Sequence, residues 1–366
     1  MKTSIQIGKI MGIPIKLHIT FLLILPVFAY SFSINPSNFG FSDIKPAIFR
    51  YTLSSLAAIS LFVCVLLHEL GHSYVAKKHG TNIQSITLFL FGGVSSMEEI
   101  PRNPKTELKM AVAGPAVSLL IGSTLIIIYE FLKTGSSYFP GEPVLRFIYL
   151  VGFINIILCI FNLIPAFPMD GGRVLRAWFA QRMSYIKATK AAAGIGKMFA
   201  ILMGVFGFLT VSIGGFWFML IAFFIYIGAS EEEKSTEVSV ILEGTKVKDI
   251  MSRNILTVSP EMTVEELVDL MFKHKHMGYP VVNNDQITGI VTFNDVQKVP
   301  KEERKRIRVS QIMTQELITA KEDDDAIIAL KMMTVNNIGR VIVKNDGKMT
   351  GIVSRTDLLR SVQILE

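Results

Sequence analysis

Cysteine is nearly absent: of 366 residues only Cys64 and Cys159 are cysteines, and both lie inside apolar runs. A disulfide framework is therefore excluded as an organising principle. Histidine is sparse as well, with six residues in all. No small-residue cleavage site follows the first apolar run, which also starts late, so no cleavable signal peptide is expected. The net charge of +7 comes with no basic helix and no aromatic RNA-binding motif. Nucleic acid is therefore not an expected partner.

Apolar residues, by contrast, make up half the chain, and the mean hydropathy of +0.46 is too high for an ordinary soluble enzyme. Six runs are long enough to cross a bilayer: 18–34, 51–76, 108–132, 145–167, 192–211 and 214–229. "SIGG" at 212–215 reads as a tight turn between the last two. Lys and Arg sort by loop. With Lys109 and Arg146 at the run edges counted to their adjoining loops and Lys197 inside the fifth run left out, the N-terminal segment, the loop after the second run and the loop after the fourth hold thirteen, against four in the alternate loops. The positive-inside rule then places both termini in the cytoplasm, and an even number of spans agrees.

From Ser230 the character changes. "SEEEKSTE" is a polar, charged linker, and the residues after it alternate as in a soluble α/β domain. The expected organisation is a six-span region over 1–229, a linker over 230–244 and two repeats over 245–300 and 307–364.

The second run carries "HELGH", His68 to His72. His-Glu-x-x-His on a helix puts both imidazoles on one face, where they can ligate one Zn²⁺ with Glu69 as general base. A charge at the centre of a membrane helix costs about 2.5–3.5 kcal/mol even on lenient scales, so such groups read as functional. A third ligand is still needed. None of the other four histidines has a comparable setting, but "NLIPAFPMDGG" offers Asp170. Pro165, Pro168, Gly171 and Gly172 break the fourth helix there, and broken backbone at membrane depth is tolerated only where it is buried or lines a cavity. Asp170 is either that ligand or the cap of a helix starting at Gly171. The second and fourth spans run in the same direction. His68 lies about 12 Å before the end of its span, so both halves of the site reach a similar depth.

"HELGH", "NLIPAFPMDGG" and "AGP" at 113–115 together resemble the site-2 protease family of intramembrane zinc metalloproteases. The resemblance implies that His68, His72 and Asp170 hold one zinc per chain. It further implies that Glu69 activates water and that Asn162 supplies an oxyanion or substrate hydrogen bond. Membrane-spanning proteins are the implied substrates. Many relatives have asparagine where this chain has Ser118, a departure read as affecting helix packing and leaving the chemistry untouched. Segments 5–17 and 86–96 alternate like strands. They form either a small sheet on the cytoplasmic side, whose edge could hold an extended substrate, or amphipathic loops packed on the bundle. Cys64 reads as packing and His18 as an interfacial residue.

Shifted by 62 residues, the tail overlays on itself without a gap: Ile250-Met251 meets Ile312-Met313, Gly289-Ile290-Val291 meets Gly351-Ile352-Val353, and Asp295 meets Asp357. Each copy reads strand, helix, strand, strand, helix, so two copies of one unit bury their apolar faces on each other. "GIVTFND" and "GIVSRTD" resemble the tandem CBS (cystathionine-β-synthase-type) repeats. That resemblance implies an adenine nucleotide (ATP, ADP or AMP) held by Thr257, Thr292, Asp295, Thr319, Ser354 and Asp357 as a regulatory ligand. It leaves open a pair that only dimerises the chain. Arg340 stands where the first copy has Gly278, placed either to bind phosphate or to block one site.

The leading expectation is an intramembrane zinc protease regulated through its tail. A CBS-gated channel or transporter is the rival, but it needs no general base beside its metal ligands, and no inverted repeat is apparent among the six runs. A metal-binding scaffold that lost activity is a weaker reading still, since every catalytic residue type is present.

Overall fold

Met11 and Gly12 both take positive φ, 53° and 79°. That lets a two-residue turn join strand β1 (Ser4–Ile10) to β2 (Ile13–His18) with the twist a hairpin needs. The computed structural model describes residues 4–36, 39–89, 92–97, 102–134, 141–210, 213–284 and 286–365. They fall into two units, Met1–Lys234 and Ser235–Glu366.

In the first unit β2 leads into helix α1 (Ile19–Ile34), whose N-terminus His18 caps by accepting from the Thr20 amide at 3.3 Å. Helix α2 (Ala47–Lys78) follows, and then strands β3 (Ile83–Phe89) and β4 (Gly92–Met97). The four strands make one sheet in the order β1-β2-β3-β4, with β2 parallel to β3 and the other pairs antiparallel. Of the two expected forms of 5–17 and 86–96, the described residues adopt the sheet; positions 90 and 91 lie outside them. Ile13, Ile15, Ile86 and Leu88 bury its inner face against Phe21 of α1, Phe62 and Leu70 of α2, and Met110.

Helix α3 (Pro104–Thr134) and helix α4 (Glu142–Asn162) come next. The chain then breaks, as Pro165 and Pro168 require, and restarts as α5 (Asp170–Phe179). Helices α6 (Tyr185–Leu209) and α7 (Ile213–Glu243) complete the unit. Among the described residues five helices (α2, α3, α4, α6 and α7) are long and apolar enough to cross a membrane, one fewer than the six runs expected. The first run forms α1, whose 16 residues reach about 24 Å, short of a hydrocarbon core of about 30 Å. The stretch 230–243, expected as a linker, is helical and continues α7. Glu and Lys are good helix formers, and polarity alone does not unwind them. Glu232 and Glu233, still within the first unit, moreover pair with Arg176 and Lys197, both at 2.6 Å.

The second unit holds two similar halves. The first runs α8 (Val247–Ile250), α9 (Val264–His274), β5 (Gly278–Asn283), β6 (Gln286–Thr292) and α10 (Phe293–Gln297). The second runs α11 (Val309–Ile312), β7 (Thr319–Lys321), α12 (Ala326–Val335), β8 (Arg340–Asn345), β9 (Lys348–Ser354) and α13 (Arg355–Leu365). The β5–β6 and β8–β9 hairpins keep the 62-residue offset residue for residue, down to Gly278↔Thr292 against Arg340↔Ser354. The first strand expected in the earlier half is reduced to one bridge, Val258 to Val281.

Candidate functional site

Helix α2 carries His68 and His72 one turn apart, both buried, and their Nε2 atoms lie 3.2 Å from each other. Asp170 opens α5, and its Oδ2 lies 3.1 Å from His68 Nε2 and 3.0 Å from His72 Nε2. Met169, and not Asp170, occupies the N-cap position of this helix. Two glycines let α5 start this close. A Cβ on Gly171 would sit 2.5 Å from the Leu163 carbonyl, and one on Gly172 would sit 2.6 Å from the Phe167 nitrogen. Ala166, Phe167 and Met169 are buried in the break, so the approach to Asp170 is held by packing.

The donor set suits a cation. His72 Nδ1 lies 2.7 Å from the Met110 carbonyl, which can only accept, so Nδ1 carries a proton and in the neutral ring Nε2 presents a lone pair. That lone pair faces a carboxylate oxygen at 3.0 Å and a second imidazole nitrogen at 3.2 Å. Without a positive charge among them the three would repel. A tetrahedral zinc with bonds of about 2.0–2.1 Å spaces its ligands about 3.3–3.4 Å apart, close to what is seen. The space in front of the imidazoles is kept clear by Gly114 of α3. A Cβ there would lie 2.6 Å from His68 Nε2 and closer still to His72 Nε2. His68, His72 and Asp170 are therefore residues that could hold one metal ion.

Glu69, next to His68, is half-buried, and the β4 backbone passes against it: a Cβ on Gly93 would meet its Cδ at 3.0 Å. Asn162 ends α4, and its amide donates to the Leu158 carbonyl at 2.9 Å, leaving one of its two N–H groups for another partner. Ser118 corrects the reading made from the sequence. Its hydroxyl, fully buried, lies 2.9 Å from His68 Nδ1 and so touches the site directly. Two further partners were missed, the Met110 carbonyl and the buried Glu107. The signal for Glu107 was available, since an acidic residue beside an apolar run needs a partner.

In the second unit a cavity of about 540 Å³ lies between the halves, lined among others by Thr292, Asp295, Lys298, Glu316, Ile318 and Arg340. Thr292 Oγ1 donates to Asp295 Oδ2 at 2.7 Å, and Ser354 Oγ donates to Asp357 Oδ2 at 2.7 Å, the same turn in both copies. Ser354 and Asp357 do not line this cavity; Thr319 follows the lining residue Ile318, and Thr257 precedes the bridge at Val258. Arg340 lines the cavity and donates to the Gly278 carbonyl at 2.5 Å, filling the space that a side chain at Gly278 would take. Burial pushes its guanidinium below the ordinary value, while Asp357 and Tyr279 pull it back up.

Comparisons with known proteins agree with this layout. The family model for peptidase family M50 matches residues 56–139 and 135–205, and that for the CBS domain matches 247–302 and 309–364. A zinc metalloprotease of Methanocaldococcus jannaschii is 42% identical over 366 residues, covering 100% of this chain and 98% of that protein. The solved site-2 protease from Methanocaldococcus jannaschii is 43% identical and covers 63% of this chain and 95% of its own, with a TM-score of 0.44. A CBS domain pair solved with 5′-methylthioadenosine and S-adenosyl-L-methionine is 29% identical, covering 33% of this chain and 98% of its own, with a TM-score of 0.31. Identity of that degree across the whole length, together with the donor set on α2 and α5, means that the chain belongs to peptidase family M50, the site-2 protease family of multi-pass membrane zinc metalloproteases, and carries a tandem CBS pair.

Proposed function

We propose that His68, His72 and Asp170 are the zinc ligands of this protease, with Glu69 as its general base and Asn162 as a hydrogen-bond donor to the substrate carbonyl. The observation that carries the reading is the convergence of three lone-pair donors within 3.2 Å of one another, one of them locked in its tautomer by Met110. Zinc, when bound, supplies Lewis acidity toward the scissile carbonyl. Glu69 takes a proton from the attacking water and delivers it to the leaving amine. The remaining N–H of Asn162 offers a donor to the oxygen on which negative charge develops. A helical substrate hides its carbonyls in its own hydrogen bonds, so it must unwind first. Edge strand β4, whose backbone passes Glu69, suits an unwound segment of a membrane protein.

The charge distribution supports a chain with both termini in the cytoplasm. For the tail we infer an adenine nucleotide in the cleft beside Thr292 and Asp295, regulating cleavage, and self-association through the CBS pair. Glu69→Gln tests the catalytic assignment: zinc content should stay at the wild-type level while cleavage of membrane peptides is abolished. Cleavage near the wild-type rate in that variant would remove Glu69 as the base.

A further inference from the structure

Helix α3 donates no ligand, yet every donor leans on it. Glu107, Met110, Gly114 and Ser118 recur at helical spacing and so share one face. Ser118 meets His68 Nδ1 at 2.9 Å, the Met110 carbonyl takes the His72 Nδ1 proton at 2.7 Å, and Gly114 leaves room before both Nε2 atoms. Glu107 does the equivalent for the third donor. Its Oε1 accepts from Arg176 Nε at 2.7 Å and lies 2.5 Å from Nη2, and Arg176 stands on α5, the helix that Asp170 opens.

Arg176 grips the chain on both sides of Asp170. Its guanidinium lies 5.0 Å from the ring of Phe167, three residues before Asp170, and 4.9 Å from the ring of Tyr185. A second carboxylate, Glu232, takes Nη1 at 2.6 Å. Glu107 and Arg176 are 2% and 1% exposed, so this pair is fully withdrawn from solvent. Buried ion pairs contribute little net stability compared with apolar residues of the same volume. Fixing the register of one helix on another is the better-attested use of such a pair.

We propose that this face of α3 is the template of the metal centre, in which Ser118 and the Glu107–Arg176 pair are positioning residues. Ser118 holds the ring of His68, and the ion pair holds the helix start that presents Asp170. The two act on different ligands and are therefore separable. The inference rests on the assignment of His68, His72 and Asp170 as zinc ligands.

The test uses the full chain purified in detergent, with zinc affinity measured by chelator competition and Co²⁺ absorption bands reporting ligand geometry. Ser118→Ala should weaken binding roughly 10- to 100-fold, the usual effect of removing a partner of a ligating histidine, and shift the Co²⁺ bands. Ser118→Thr keeps the hydroxyl and should restore both. For the ion pair, Glu107→Leu with Arg176→Met removes both fully buried charges together, and Glu232, which loses its bond to Arg176, is partly exposed to solvent. That double variant should melt near the wild-type temperature while its zinc affinity drops and its Co²⁺ bands change. Wild-type affinity and bands in Ser118→Ala and in the double variant would overturn the template. So would loss of affinity only in step with loss of the fold. A wild-type chain that binds neither Zn²⁺ nor Co²⁺ would instead defeat the ligand assignment itself.

Discussion

Gly114→Ala is the smallest change that should empty the metal centre. The added methyl would stand 2.6 Å from His68 Nε2 and nearer to His72 Nε2, whereas a comfortable contact needs about 3.5 Å. Both imidazoles must therefore retreat by about 1 Å, while zinc sites tolerate departures of only about 0.2 Å in ligand distance. The retreat strains the bonds to Ser118 and to the Met110 carbonyl, a loss of about 0.5–1.5 kcal/mol each. Against that, alanine is favoured over glycine inside a helix by about 0.8–1.0 kcal/mol. The net change in stability is then at most about 2 kcal/mol, so the variant should fold. The expected result is a folded protein without zinc and without activity. Elemental analysis of the purified chain, beside thermal unfolding and a cleavage assay, reads all three. Zinc at the wild-type ratio in a folded Gly114→Ala protein would refute the reasoning, because no ion fits beside that methyl.

Asp170→Ala and Asp170→Asn should both lower zinc content sharply, as measured on the purified chain; full occupancy in both would return Asp170 to a structural role. Membrane-impermeant thiol probes applied to intact cells should label cysteines engineered in 35–47 and 134–143 but none in 98–109, and the reverse pattern would invert the topology. Calorimetry with AMP, ADP and ATP on the full chain should show binding that Asp295→Ala weakens. Through a coupling of about 1–3 kcal/mol, the bound nucleotide should alter cleavage roughly 5- to 150-fold. No heat at millimolar nucleotide would leave self-association as the role of the tail.

The donor set was legible because it pairs residues that are expensive in a membrane with motifs that give their geometry. "HELGH" fixes two imidazoles on one face, and the Pro/Gly break exposes Asp170. The template on α3 was not legible, because it is made of a backbone carbonyl at Met110, a missing side chain at Gly114 and a common serine at 118. Two local features differ from the sequence reading for physical reasons. The run at 18–34 is apolar enough for a span but gives only 16 helical residues, and the acidic stretch after Ser230 is helical and ion-paired to Arg176 and Lys197. The tail was legible through its exact-length repeat, since hairpins offset by a constant 62 residues keep the same register. The loss of the first strand in one copy depends on pairing that periodicity does not report.

The order of the proposed ligands along the chain has a consequence for biogenesis. His72 and Asp170 are separated by 98 residues. A ribosome adding about 5–20 residues per second leaves the two histidines waiting roughly 5–20 s for their third partner. During that interval α3 and α4 must be made and inserted, and two imidazoles alone do not build a closed zinc site. The nascent chain therefore cannot cut the spans being inserted around it, its own included. On the proposed ligand assignment the metal site closes only when the helix opened by Asp170 docks, so the making of α5, with α6 and α7 still to follow along the chain, is the event that arms the enzyme.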